Sequence, residues 1–226
     1  MFSLFTKLQI FYHKSGHYDI LKRRAEVNFM CRIERFEKEI SVAEYLEGYV
    51  AVEEFLECCR ACPNYEKVWS CPPYDFDVME YWNRGTTLRV LARKIYLDGV
   101  SGQAEAAALL ESVKEDMSRE LYQLEEANPG SVSLSAGSCS LCREAFGGMV
   151  DGAEEWGAPA ESGQGRGCTR LSGQPCRYPE KMRYSIESLG GNVGLTCRKL
   201  MGIQLEWIEE GKLPSFFVLC AGLLLP

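Results

Sequence analysis

The chain has 226 residues, 46% of them hydrophobic and 25% charged, which suits a globular domain able to bury its own core. Twenty-five Lys and Arg against 32 Asp and Glu leave a formal charge of −7, and this excludes a basic nucleic-acid footprint as a global property. No run reaches the roughly 18 apolar residues of a membrane span. Residues 1–10 are interrupted by Thr6, Lys7 and Gln9, a poor core for an export signal. The expectation is a cytoplasmic protein with neither nucleic acid nor membrane as partner.

In chain order, residues 1–39 form an extension that pattern reading leaves without a clear element, and residues 40–226 form the domain. Its His13 and His17 read as surface imidazoles, because Ser15 and Gly16 weaken any helix that would bring them together. Residues 42–58 carry Val42, Leu46, Tyr49, Val50 and Leu56 at helical spacing and predict one amphipathic helix. Residues 59–74 follow as a fixed loop, since three prolines forbid helix there. Residues 88–97 are rich in β-formers and predict a strand, and 103–127 a long helix ended by Asn128-Pro129-Gly130. A short strand over 131–135 delivers the chain to Cys139.

The segment 145–167 is an insertion: residues 147–167 hold seven of the 21 glycines and few apolar side chains, too little to bury. Beyond it, Pro179 and Glu180 predict the first turn of a helix running to about Leu189, stopped by Gly190-Gly191. On that helix Glu180, Arg183 and Glu187 would share one exposed, salt-bridged face. A further helix is expected over 193–201, and the apolar run 215–225 reads as a buried strand. The fold class is therefore α/β, a sheet packed by helices with cysteine-rich loops.

Those loops carry the chemistry. Eleven cysteines, an odd number in a chain this long, do not suit a secreted disulfide framework. With only two histidines, a metal site here must be mostly thiolate, which favours zinc or iron–sulfur. With the insertion set aside, Cys139, Cys142, Cys168 and Cys176 fall into a run of short spacings closed by Cys-Arg-Tyr-Pro, close to an iron–sulfur ligand run. A long loop costs little to close, so the insertion is compatible with the site. A helix beginning at Pro179 would aim its N–H groups and dipole at a cluster beside Cys176, and Arg177 would add positive charge.

Cys59, Cys62 and Cys71 form a second set of three, with one position open for substrate or for a distant ligand such as Cys31 or Cys197. Two alternatives stay open: a zinc ribbon from Cys59/Cys62 and Cys139/Cys142, and a dithiol redox pair at Cys59/Cys62. Cys58 would diverge from Cys59, while Cys31, Cys197 and Cys220 read as small core hydrophobes. Trp69 and Tyr74 either shield a cluster from water or pack ordinarily. No phosphate-cradling glycine loop and no Gly-x-Ser-x-Gly turn is present.

The stretch Cys59-Arg-Ala-Cys62-Pro-Asn-Tyr, continuing to Trp69-Ser-Cys71-Pro-Pro-Tyr, resembles the signature of a cysteine-rich family of predicted metal-binding proteins, domain of unknown function 2284. The later stretches Ala136-Gly-Ser-Cys-Ser-Leu-Cys142 and Gln174-Pro-Cys176-Arg-Tyr-Pro, running on to Gly190, resemble its second signature. The resemblance implies cysteine-bound metal, occurrence among anaerobic bacteria and archaea, and no established reaction. It carries the family's cysteines onto Cys59, Cys62, Cys71, Cys139, Cys142, Cys168 and Cys176. The sequence departs from the family at 145–167, where the pattern usually runs almost directly to the third cysteine. Taken together, the expectation is an iron–sulfur protein with one or two 4Fe-4S clusters that exchanges electrons with a redox partner protein. The alternatives are a structural zinc module, or an iron–sulfur enzyme with an open-coordinated iron.

Overall fold

The computed structural model describes residues 31–144, 167–208 and 212–226. His13, His17 and all of the insertion but Gly167 lie outside the described residues. Four antiparallel strands form one sheet in the order β1-β2-β4-β3: β1 Ile33–Ser41, β2 Thr87–Tyr96, β3 Val132–Leu134 and β4 Phe216–Leu225. Thr87 opposes Leu225 and Val132 opposes Leu224, so the C-terminal strand is sandwiched between two neighbours. Its unbroken apolar sequence follows from burial on both faces, Phe216 and Cys220 in the larger core and Phe217 and Ala221 in the clusters opposite.

Strand β1 carries no sequence signal that marks it in advance. Its residues, Ile-Glu-Arg-Phe-Glu-Lys-Glu-Ile-Ser, are charged because it is a half-solvated edge. Arg89 of β2 binds Glu39 at 2.8 Å across the pair.

The two faces of β2 separate by period two. Ile95 and Leu91 meet the long helix α4, Gln103–Ala127, whose buried stripe is Ala106, Leu109, Val113, Met117 and Leu121. Leu88 and Val90 face the larger core, with Tyr45, Trp82, Ile186, Leu189 and Cys197. That core is supplied by helices α1 (Val42–Tyr49), α3 (Val78–Trp82) and α6 (Val193–Met201), while α2 (Val52–Arg60) has no buried residue and the short α5 spans Leu141–Glu144. Two hydrogen bonds tie its polar atoms: Tyr45 to Thr196 at 2.7 Å, and Trp82 Nε1 donating to the Leu189 carbonyl at 2.9 Å.

Two expected helices are corrected. Residues 42–58 are split between α1 and α2, because Val50 is extended and bridges Gly191. The Ala51 N–H donates to the Gly190 carbonyl and the Asn192 N–H to the Tyr49 carbonyl, both within 2.9 Å, so this docking satisfies backbone groups a continuous helix would have used. Gly190 permits the approach: its φ is +81°, and a Cβ there would lie 2.7 Å from Val52 Cα.

The helix expected from Pro179 to Leu189 is a single turn around Tyr178–Met182 and a 3-10 turn at Glu187–Leu189. Between them the backbone is drawn out alongside β3, where the Ser135 N–H donates to the Tyr184 carbonyl at 2.7 Å. Tertiary pairing outweighs a good local start signal. The expected exposed face of Glu180, Arg183 and Glu187 is accordingly absent. Arg183 turns inward to Glu125, and the Oε2 of Glu187 is fully buried.

Candidate metal centre

The first cysteine loop leaves α2 in a chain of tight turns. The Cys62 N–H donates to the Cys59 carbonyl at 2.9 Å, Tyr65 to Cys62 at 3.1 Å, and Cys71 to Val68 at 2.9 Å. This folding brings Cys59, Cys62 and Cys71 within electrostatic reach of one another. The second set is assembled from three segments. Strand β3 delivers Cys139, α5 carries Cys142, and Cys168 and Cys176 flank a 3-10 turn at Thr169–Ser172. Cys139 senses Cys142 and Cys176, and Cys176 senses Cys168 and Cys142. These charges relate Cys59, Cys62 and Cys71 to one another, and Cys139, Cys142, Cys168 and Cys176 to one another. Among the described residues, no three His, Cys, Asp or Glu side chains are drawn together tightly enough to hold a metal ion as they stand.

The two loops are fastened side by side by residues that cysteine spacing does not flag. Ser70, completely buried, accepts a hydrogen bond from the Cys139 N–H at 2.9 Å and also bonds to the Cys71 thiol. Asn64 donates to Ser138 at 3.0 Å, and the Lys114 ammonium donates to the Ser138 carbonyl at 2.5 Å. Arg170 reaches from the second set into the first loop, donating to the carbonyls of Val68 at 2.9 Å, Pro73 at 2.7 Å and Cys71. Trp69 lies against the Arg170 guanidinium and donates to the Gln174 carbonyl at 3.2 Å. Tyr74 stacks on Phe76, meets Tyr184 edge-on, and donates to the Ser70 carbonyl at 2.8 Å. Both aromatics therefore pack and also wall the cysteine loops.

Burial governs the thiols. It pushes Cys59 up to about 12, helped by the neighbouring charges of Cys62, Glu187 and Cys58. Cys71 is likewise pushed up to about 12, and Cys139 up to about 11. Burial also raises Cys176. Two backbone donors work against this burial: the Leu141 N–H bonds to the Cys139 sulfur, and the Tyr178 N–H to the Cys176 sulfur. The positive end expected from a helix at Pro179 is therefore replaced by a single N–H, and Arg177 donates to the Gly167 carbonyl at 2.8 Å. A neutral, desolvated thiol must lose its proton to bind metal, so metal uptake here is coupled to proton release.

The remaining cysteines separate from these sets. Cys197 and Cys220 are buried in the main core and hydrogen-bond to each other, while Cys31 packs beside Ile95 at the α4 face. Cys58 senses Glu54 and Glu57 on its own helix. A cleft of about 570 Å3 is lined by Tyr81, Arg84, Ser131, Met182 and Tyr184 among others.

The donor set fits a thiophilic metal, because sulfur is the chief ligand type available in both loops. Among the described residues four buried side-chain atoms have no hydrogen-bond partner, Asn64 Oδ1, Ser131 Oγ, Ser133 Oγ and Glu187 Oε2, and the charge of Glu187 bears on Cys59 of the first set. No helix of the described residues is long and apolar enough to cross a membrane. No curated protein and no solved structure matches this chain. The family model of a predicted metal-binding protein (DUF2284) matches residues 46–225, spanning both cysteine loops and three of the four strands, and the chain belongs to that family.

Proposed function

We propose that this protein is a cytoplasmic iron–sulfur protein that accepts and donates single electrons to a partner protein. Cys139, Cys142, Cys168 and Cys176 would hold a 4Fe-4S cluster, and Cys59, Cys62 and Cys71 a second metal. The observation that carries this reading is the grouping of seven thiols into two adjacent sets, with N–H groups bonded to the sulfurs of Cys139 and Cys176. Hydrogen bonds to cluster sulfurs stabilise the reduced, more negative state and raise the potential. The same grouping favours two sites over one zinc ribbon shared between Cys59/Cys62 and Cys139/Cys142. When bound, the cluster supplies the electron chemistry, and the chain supplies ligands, shielding and charge.

A second reading, an iron–sulfur enzyme, is supported by the cleft, whose Tyr184 lies close enough to sense Cys176.

The test is iron, zinc and acid-labile sulfide per chain, with a visible spectrum, on anaerobically purified protein. About four irons and four sulfides are expected for one cubane, and about eight of each if both sets hold clusters. One zinc without sulfide would replace electron transfer with a structural module whose metal contributes folding energy.

A further inference from the structure

Glu187 occupies the 3-10 turn Glu187–Leu189, which packs against α2 immediately before the first cysteine loop. The contact is fixed by the backbone, since the Gly190 carbonyl accepts from the Ala51 N–H at 2.9 Å. Ser188, the next residue, hydrogen-bonds Tyr74, and Tyr74 in turn lies close to both Cys71 and Cys59. Glu187 itself is near enough to Cys59 for its charge to bear on that thiol. Ser185 donates to its carboxylate, but Oε2 is fully buried and has no hydrogen-bond partner. A buried carboxylate oxygen without a hydrogen-bond donor is costly, and burial raises the Glu187 carboxyl although the Lys114 charge bears on it. The nearby ammonium of Lys114 donates to the Ser138 carbonyl.

A metal ion would supply the missing partner. The first set offers three thiolates, and a tetrahedral site requires a fourth donor, for which a carboxylate oxygen is an ordinary choice. We infer that the Glu187 carboxylate is the fourth ligand of the Cys59/Cys62/Cys71 site, making it a three-sulfur, one-oxygen centre. This inference rests on the reading that the first set binds metal. It makes the two centres chemically unequal: four sulfurs hold the second, whereas the first keeps one harder, more exchangeable ligand.

Anaerobic cobalt(II) titration of the full chain separates the two ideas. A C139S/C176S background confines cobalt to the first set, whose thiolate charge-transfer band counts sulfur ligands and whose d–d bands report the whole donor set. The E187Q change should weaken cobalt binding by more than about tenfold. It should also shift the d–d bands, leave the charge transfer per cobalt unchanged, and leave the metal-free protein at least as stable. E187C should convert the spectrum to that of four thiolates. E187Q with unaltered affinity and d–d bands would overturn the inference, as would a parallel loss of metal-free stability, which would mark a structural role. If E187Q does not fold, E187C decides: a three-thiolate spectrum overturns the assignment. C59S tests the underlying reading separately. Cobalt retained in C59S would refute the first set as the site, whereas cobalt lost in C59S but kept by E187Q would refute Glu187 alone.

Discussion

Replacing Arg183 by methionine tests the clasp that holds the 179–184 segment, and with it Cys176, against the sheet. Arg183 Nε and Nη2 bind the two oxygens of Glu125 at 2.7 and 2.6 Å, and Nη1 donates to the carbonyls of Glu180 and Met182 at 2.7 and 3.0 Å. Glu125 also accepts from the Ser133 N–H of β3, so one carboxylate joins α4, β3 and the cysteine-bearing segment. The side chains are only 19% and 14% exposed, which places the pair nearer the buried than the surface limit. Removing one partner of a buried pair costs about 3–5 kcal/mol, and the residual exposure here argues for the lower end, about 3 kcal/mol. For a chain of this size that corresponds to roughly 6–12 °C in Tm.

The assay is urea unfolding of the reduced, metal-free protein, run as a cycle with E125Q and R183M/E125Q. A coupling of more than about 1 kcal/mol is expected. The pH dependence supplies a second check. Burial alone would raise the Glu125 carboxyl, but the Arg183 and Ser133 hydrogen bonds outweigh it and hold the group below the usual glutamate range. A carboxyl whose folded pKa is depressed contributes stability above its unfolded pKa and loses it as pH falls through the folded value. The gap between wild type and R183M should therefore be full at neutral pH and shrink on acidification below 4.5. A loss under about 1 kcal/mol, or additive single mutants, would refute the clasp.

Three further outcomes are expected. C176S should remove most of the visible absorption and cluster iron of anaerobically prepared protein, whereas C197S, a core change, should leave iron per chain unaltered; equal iron in all three proteins would contradict the assignment. S70A leaves the half-buried Cys139 N–H without its 2.9 Å acceptor and should cost about 1 kcal/mol in denaturant unfolding. It should also shift the reduction potential of a bound cluster, and a variant unchanged in both measurements would show that Ser70 does not join the loops. G190A forces a Cβ to 2.7 Å from Val52 Cα at a φ of +81°, so a destabilisation of about 2–4 kcal/mol is expected, and thermal unfolding within a degree of wild type would refute the close approach.

The elements that packing merely uses were legible in the chain itself. Helix α4 ends where Asn128-Pro129-Gly130 stops its apolar stripe, and β4 is apolar throughout because both its faces are covered. The short spacings and proline-fixed loops of the seven candidate cysteines are legible too, whereas which loop lies against which depends on the fold. Other features depend on partners distant in sequence. The break at Val50 exists because Gly191 docks there, and the helix signal at Pro179 yields because Ser135, just past β3, pairs with Tyr184 and Ser185. Strand β1 looks like a solvated charge run until β2 supplies Arg89 opposite its acids.

Glu187 is the sharpest case. Read along a helix, it sits with Glu180 and Arg183 on an exposed face; in the fold, Arg183 goes to Glu125 and Glu187 is left buried beside Cys59. Local sequence determined which segments could be helix, strand or cysteine loop, because propensity and periodicity act over a few residues. Only the tertiary structure decided which polar groups meet, because burial and pairing energies belong to contacts that the sequence separates by tens of residues or more.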